Sequence, residues 1–357
     1  MKGFLNSVKG IVTGVVLVLV CIGGLSWNEW NNVRNIKAVD EARKSVIQID
    51  SENVNPENDG KLVAVNGALN VLDETVTDSL FHVSAKTAKL MRTVEMYQWE
   101  ESVSEDDKGN QTYSYSKVWL QTLNNSGGFN DKSHINPEAM PFISEIMVAD
   151  EVKLGEFSLS EKQKESLSAK GTIRDFDLQD DNYTVIGEYI TNAANISSPD
   201  IGDVRISYTY NDSGEISLLA CQQGNTFTDY RASNGVTFNK VVDGLLPGTE
   251  VIQIIQEENN ILKWAIRGFG TLLMFLGFAL VFKPLSVIGA HIPFLGVFLR
   301  TAVGLAALLL GLSVSLIVIA IAWIAVRPLI GIGLIAGAAV MIFILTKAKK
   351  PQPAGKP

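Results

Sequence analysis

Residues 301–326 read TAVGLAALLLGLSVSLIVIAIAWIAV, 26 residues without a charge. At a rise of about 1.5 Å per residue, a helix of this length exceeds the roughly 30 Å hydrocarbon core of a bilayer. The stretch therefore predicts a transmembrane helix, and the signal recurs on both sides of it. Residues 328–346 are apolar again and are separated from the first run by little more than Arg327, so the two helices must be antiparallel neighbours. Residues 261–282 predict a further span, with Lys263 and Arg267 snorkelling near one end and Trp264 at the interface. Residues 10–28, uncharged between Lys9 and Glu29, predict the first. A cleaved signal peptide is the rival reading of that segment, because Lys2 and Lys9 precede the apolar run, but the run is long and its cleavage pattern poor.

The remainder, residues 29–260, is a different material. The chain has 357 residues and a formal net charge of −8, which hides a sharp sorting. All 38 Asp and Glu residues lie between Glu29 and Glu258, together with 19 of the 30 Lys and Arg residues, so that stretch carries −19 and the flanks +11. So acidic a domain lacks the basic face that phosphate contact needs, which excludes a nucleic-acid binder. Only Cys21 and Cys221 occur, so no disulfide can form within the domain, and His82, His134 and His291 are isolated from any cysteine at ligand spacing. No metal or other cofactor is expected.

Basic residues near the span ends set the orientation. Lys2, Lys9, Lys283, Arg300, Lys347, Lys349, Lys350 and Lys356 fall on one side, and Lys263, Arg267 and Arg327 on the other. Both termini, including the basic tail 347–357, are expected in the cytoplasm and residues 29–260 outside it, in the periplasm of a bacterium or the lumen of a eukaryotic membrane system. Residues 283–300 are apolar but contain Pro284, Gly289, Pro293 and Gly296. They predict a broken loop, either re-entrant or buried under its neighbours, and not a clean spanning helix.

Within the domain, Val33, Ile36, Val39, Ala42 and Val46 follow helical spacing, so an amphipathic helix is expected to leave the first span. The period then falls to two. Residues 93–100 and 112–119 alternate around a polar join and predict a hairpin, as do residues 204–210 and 216–220 around Asn211-Asp212-Ser213-Gly214. Ser160 with Gln163 predicts a capping box on a short helix reaching Ser168. The expected fold is four transmembrane helices, one N-terminal and three C-terminal, with a large strand-rich α+β domain after the first.

No nucleophile elbow, phosphate-binding loop, zinc-protease or dinucleotide motif is present. His134, in His134-Ile135-Asn136-Pro137, is a candidate general base but reads more readily as structural, and Cys221 reads as a buried thiol. The glycines and serines Gly304, Gly311, Ser313 and Ser315, with Gly331, Gly333 and Gly337, suit helix packing.

Several segments carry a resemblance. Trp27-Asn28-Glu29, the run from Ala88 to Glu100 containing Arg92-Thr93-Val94-Glu95-Met96-Tyr97-Gln98-Trp99, Gly202-Asp203-Val204-Arg205, Ile266-Arg267-Gly268-Phe269, Ile292-Pro293-Phe294-Leu295-Gly296 and Ala322-Trp323-Ile324 occur in one order. In these the chain resembles the transmembrane protein 43 (LUMA) family over nearly its whole length. It departs from the family pattern at Trp30-Asn31-Asn32, where Gly-Arg-Ala is more usual. The resemblance implies four spans, cytoplasmic termini and a non-enzymatic scaffold that self-associates and organises other membrane proteins. The alternatives are a channel or lipid-handling protein built on the broken loop, or an extracytoplasmic hydrolase or carbohydrate binder, which would need His134 grouped with two carboxylates in a concave pocket. Trp27 and Glu29 at the membrane exit, Glu95, Tyr97 and Trp99 in the strand, and His291, Pro293 and Gly296 in the broken loop are the candidate interaction residues. The partners expected are the lipid bilayer, a second copy of the chain and other membrane proteins.

Overall fold

The computed structural model describes residues 2–71, 75–105, 110–178, 180–289, 295–324 and 328–347. They form two compact units, a helical one (residues 1–44, 232–236 and 252–357) and a strand-rich one (residues 45–231 and 237–251).

The helical unit begins with α1, Lys2–Ser45. Its first part is the apolar run and its last the amphipathic segment, and because no proline interrupts residues 2–45 the two merge into one helix. The short α2, Glu161–Glu165, belongs to the other unit. The helical unit continues with α3, Gly248–Gly289, then α4, Leu295–Ile324, and α5, Pro328–Lys347. Among the described residues α1, α3 and α4 are long and apolar enough to cross a membrane, and α5 is a further apolar helix of 20 residues. Of the expected loop 283–300, residues 283–289 form the end of α3, which runs through Pro284, residues from Leu295 on, Gly296 included, belong to α4, and 290–294 lie outside the described residues. A proline removes one helical hydrogen bond, a loss that neighbouring groups can make good within a membrane helix. His291 and Pro293 lie outside the described residues.

Glycine sets the closest helix approaches. A Cβ on Gly14 of α1 would stand 2.6 Å from the Gly277 carbonyl oxygen of α3, and one on Gly311 of α4 would stand 3.1 Å from the Phe275 backbone. Backbones this near each other gain dispersion contacts that lipid cannot supply. Cys21, Leu25 and Met274 fill the α1/α3 seam, and Ser315 reaches the Met274 sulfur at 3.4 Å. Ser313 instead bonds its own helix at Leu309. Gly331 abuts Ala320 of α4, whereas Gly304, Gly333 and Gly337 face open space within this chain.

The strand-rich unit holds two seven-stranded sheets and two small ribbons. In the first sheet, strand Leu62–Val71 pairs with Ile47–Asp50, Val152–Leu154 and Glu215–Gln223. The second is centred on the 17-residue strand Lys89–Glu105, which pairs antiparallel with Gln111–Leu120 as expected and, on its other part, with Val204–Asn211 and Glu145–Val148. Both sheets feed one core that includes Val63, Leu218, Leu90, Val94, Ile206 and Tyr208. The hairpin expected across residues 211–214 does not form. Val204–Asn211 lies in the second sheet and Glu215–Gln223 in the first, so the Asn-Asp-Ser-Gly turn is a crossover between sheets. Residues 216–222 are buried on both faces, and both edges of this strand are paired, one with Leu62–Val71 and the other with Lys240–Asp243, which makes it an interior strand of the first sheet. The capping box at Ser160 does form, its N–H donating to the Gln163 side-chain oxygen at 2.9 Å, although the helix ends at Glu165.

Candidate functional site

Glu29 lies where the apolar part of α1 gives way to its polar part. As the helix is continuous, its carboxylate is carried inward rather than released to water, and it is fully buried. Arg267 of α3 grips it with two hydrogen bonds, Nε to Oε1 and Nη2 to Oε2, each 2.6 Å. Trp323 of α4 donates its indole N–H to Oε2 at 2.9 Å, and Asn28 contributes a longer contact of 3.4 Å. One charge pair thus joins three apolar helices. A charge at such a depth is tolerable only when paired and hydrogen-bonded, and the bidentate fork supplies both. The Arg267 guanidinium also lies 4.8 Å from the Trp264 ring centre, and the exposed rings of Trp27, Trp30 and Trp264 mark the interfacial belt at this level.

On the polar side of this clasp α1 and α3 diverge around a cavity of about 290 Å³. Its walls include Asn32, Asn35, Asp40, Arg43, Asn259 and Lys263. Asn35 donates to Asn259 at 3.3 Å, Arg43 to Gln256 at 2.6 Å and Lys263 to Asn260 at 2.7 Å. Asn32, only 6% exposed, keeps its amide nitrogen buried without a hydrogen-bond partner.

The residues singled out in the sequence separate into different places. Glu29 is in the clasp, whereas Trp27 is an exposed interfacial ring. Glu95, Tyr97 and Trp99 occupy the outward parity of strand Lys89–Glu105, and Arg92, Val94, Met96 and Gln98 the buried one. Glu95 accepts from Arg205 at 2.7 Å, directly across the strand pair, and Arg205 lies 4.6 Å from the Trp119 ring centre, which Tyr97 flanks at 5.1 Å. These are cross-strand pairs of the kind that hold a sheet together. His134 stacks on Tyr115 with centroids 3.9 Å apart and meets Trp99 edge-on at 4.4 Å, while its Nδ1 is 3.2 Å from Asp131. Asn136, two residues on, pins the same loop through bonds to the Trp99 and Asn124 backbones. No group of three His, Cys, Asp or Glu side chains able to hold a metal occurs among the described residues. Cys221 is buried, and burial raises its thiol pKa, which disfavours the nucleophilic thiolate.

A second buried cluster escaped sequence reasoning. Arg92 binds Asp78 at 2.5 Å, Glu145 at 2.7 Å and the Ile143 carbonyl at 3.1 Å, and the Tyr208 hydroxyl donates to Asp78 at 2.5 Å. Burial opposes the Asp78 charge, but the Tyr208 and Arg92 hydrogen bonds hold its carboxyl below the usual value. Burial and the Asp78 carboxylate both keep the Tyr208 phenol protonated. The available signal was parity: Arg92 shares the inward register of Leu90, Val94 and Met96.

Known proteins place this architecture. No solved structure matches the chain. It is 27% identical to transmembrane protein 43 of Homo sapiens over 374 aligned residues, covering 98% of this chain and 93% of the relative. It is 29% identical to the transmembrane protein 43 homolog of Drosophila melanogaster, covering 89% of each. The family model for transmembrane protein 43 matches residues 96–328, which include the outward strand residues Tyr97 and Trp99 and both α3 and α4 partners of Glu29. With helices and strand-rich domain in place and that match spanning most of its length, the chain belongs to the transmembrane protein 43 family.

Proposed function

We propose that this chain is a non-enzymatic membrane scaffold that self-associates through its helices and gathers other membrane proteins, with both termini in the cytoplasm and residues 29–260 on the opposite side. The observation that carries the reading is on α5. Gly333-Leu334-Ile335-Ala336-Gly337 is a small-xxx-small segment, and a Cβ on either glycine would meet nothing within 4 Å in this chain. Gly331, two residues earlier, is already used against α4, so the helix has one small-residue contact inside the chain and another facing out. In a bilayer such a face favours close approach of a second helix, because packing and not water drives association there. The charge sorting supports the orientation, since of the eleven basic residues flanking the spans eight fall on the side expected for the termini and three on that of the acidic domain.

Chemical crosslinking of the full-length protein in native membranes tests this. Dimers or larger species are expected, and Gly337→Leu should reduce them several-fold while leaving the monomer folded. Recovery of monomers alone from the unaltered chain overturns the reading. In sealed vesicles with the cytoplasmic face outward, residues 29–260 should resist added protease, and their digestion would reverse the orientation.

A further inference from the structure

The strands that end the two large sheets are not alike. Ile47–Asp50 and Lys240–Asp243, at the ends of the first sheet, have 4 residues each, and Thr184–Ile186, at one end of the second, has 3. Edges this short offer little backbone for another chain to pair with. Gln111–Leu120, at the other end of the second sheet, has 10 residues, and among the described residues it pairs with Lys89–Glu105 and no other strand. Its sequence, QTYSYSKVWL, contains no proline and no acid, and its Thr, Tyr, Val and Trp residues suit extended backbone. Lys117, its one charge, leans over the sheet face with Nζ 4.9 Å from the Trp99 ring centre, so it does not guard the edge. The opposite side of the same hairpin is closed. Where Val204–Asn211 runs out, the Asp203 carbonyl accepts the Tyr97 N–H at 2.8 Å. Asn136 takes over at Trp99, accepting its N–H at 2.6 Å and donating to its carbonyl at 2.9 Å.

We propose that Gln111–Leu120 is a docking edge for the same strand of a second copy, the two running antiparallel about a two-fold axis and joining their sheets into one. The proposal rests on the preceding reading only in that the chain self-associates, and it adds a contact on the strand-rich unit that the helix face does not supply. Three features select a second copy. First, the contact is isologous, so one open edge meets its equal and the unpaired backbone groups of both are satisfied together. Second, the strand fits itself. A two-fold antiparallel pair sets one residue opposite its own counterpart, and centring on Ser116 brings residues 112–120 of the two copies against each other. In that register Trp119 faces Tyr113 and Lys117 faces Tyr115 on the outward parity, while Ser114 faces Val118 on the other. Centring on Lys117 would instead oppose like charges. Third, charge agrees. The Tyr115 hydroxyl donates to Glu101 at 2.6 Å, so Lys117 of one copy meets an aromatic ring backed by a carboxylate. An acid-free strand is also where two domains of −19 can meet with little repulsion.

Disulfide trapping of the full-length protein in native membranes tests the edge. Directly opposed residues of an antiparallel pair have Cα atoms about 4.5–5.5 Å apart, within disulfide reach. Ser116→Cys should therefore yield a covalent dimer on mild oxidation. Ser114→Cys, also exposed and on the same face, should not, because in this register its counterpart lies four residues along the strand, about 13 Å away. Cys21 and Cys221 are buried, so the unaltered chain supplies the blank. The Ser116→Cys dimer should persist in Gly337→Leu, which separates this contact from the helical one. Ser116→Lys, which opposes two ammonium groups, should leave the domain folded and raise hydrogen exchange at the amides of residues 111–120 several-fold. Absence of the Ser116→Cys dimer while chemical crosslinking still recovers oligomers would overturn the edge and leave self-association standing, and absence of both would overturn both. Equal linkage at Ser114→Cys and Ser116→Cys, or exchange at residues 111–120 unchanged by Ser116→Lys in a folded protein, would also overturn the proposal.

Discussion

The molecule buries two arginines by the same device and to different effect. In each case an arginine binds a buried carboxylate and an aromatic donor completes the shell. Among the helices Arg267 grips Glu29 with two bonds and Trp323 adds a third. In the strand core Arg92 spends one bond on Asp78, to which Tyr208 also donates, and turns its other nitrogens to Glu145 and the Ile143 carbonyl. The strand cluster is closed. Arg92 has three partners, Asp78 also accepts the Leu80 N–H, and the apolar core surrounds them. The helical clasp is equally well paired but adjoins a cavity in which Asn32 is left without a partner. A satisfied buried cluster is accounted for by the architecture it holds together, whereas an unsatisfied polar group beside one points to something further that fills it.

The comparison can be broken from either side. The largest effect is expected from Glu29→Leu, which strands Arg267 and the Trp323 N–H together. Removal of one partner of a buried pair costs about 3–5 kcal/mol, so the helical unit should lose its cooperative thermal transition or shift far down in temperature in a lipid nanodisc. Replacing both partners, Glu29→Leu with Arg267→Leu, should recover much of the loss, because neither charge is then left unpaired. Arg92→Leu should cost about 3 kcal/mol by the same logic, lessened because half-exposed Glu145 can turn to water and Asp78 can take up a proton. Calorimetry or hydrogen exchange resolved to residues 45–231 would register it, and a change below about 1 kcal/mol would show the cluster to be dispensable.

Acid provides a graded version of that test. Because the folded Asp78 carboxyl ionises below its ordinary value, its contribution to stability is complete above the unfolded pKa of about 3.9. It fades as pH falls from there through the folded value. The strand unit should therefore lose stability on acidification below about pH 4, and Asp78→Asn should flatten that part of the profile. An unchanged acid limb in Asp78→Asn would assign the sensitivity to other carboxylates. The smallest effect is expected at His134→Ala, which removes one ring stack and should cost about 1 kcal/mol or less.

The sequence disclosed what depends on local period and composition. Uncharged runs marked the helices, alternation between Thr93 and Trp119 marked a true hairpin, and Ser160 with Gln163 marked a cap. It failed where a decision depends on partners distant in the chain. The Asn211–Gly214 turn has hairpin chemistry, yet both edges of the strand after it are taken by the distant strands Leu62–Val71 and Lys240–Asp243, and that pairing prevails over the local choice. Pro284 and Gly289 read as breakers, but α3 passes through Pro284 and ends at Gly289. For the site, Glu29 was legible as an acid at the edge of an apolar run. Its partners were not, since 238 and 294 residues separate it from Arg267 and Trp323. A snorkelling arginine and a paired one have the same sequence signature. Trp27 and the strand residues Glu95, Tyr97 and Trp99 were conspicuous for their residue types, and they lie at the interface and in cross-strand pairs.

The central claim is that one charge pair couples α1 to α3 and α4. A double-mutant cycle on Glu29 and Arg267, read as unfolding free energy of the full-length protein in lipid nanodiscs, tests it most directly. Glu29→Leu and Arg267→Leu should each be strongly destabilising, and the double variant less so than their sum by about 2 kcal/mol or more. Additive losses would mean that the two residues act independently and would contradict the clasp.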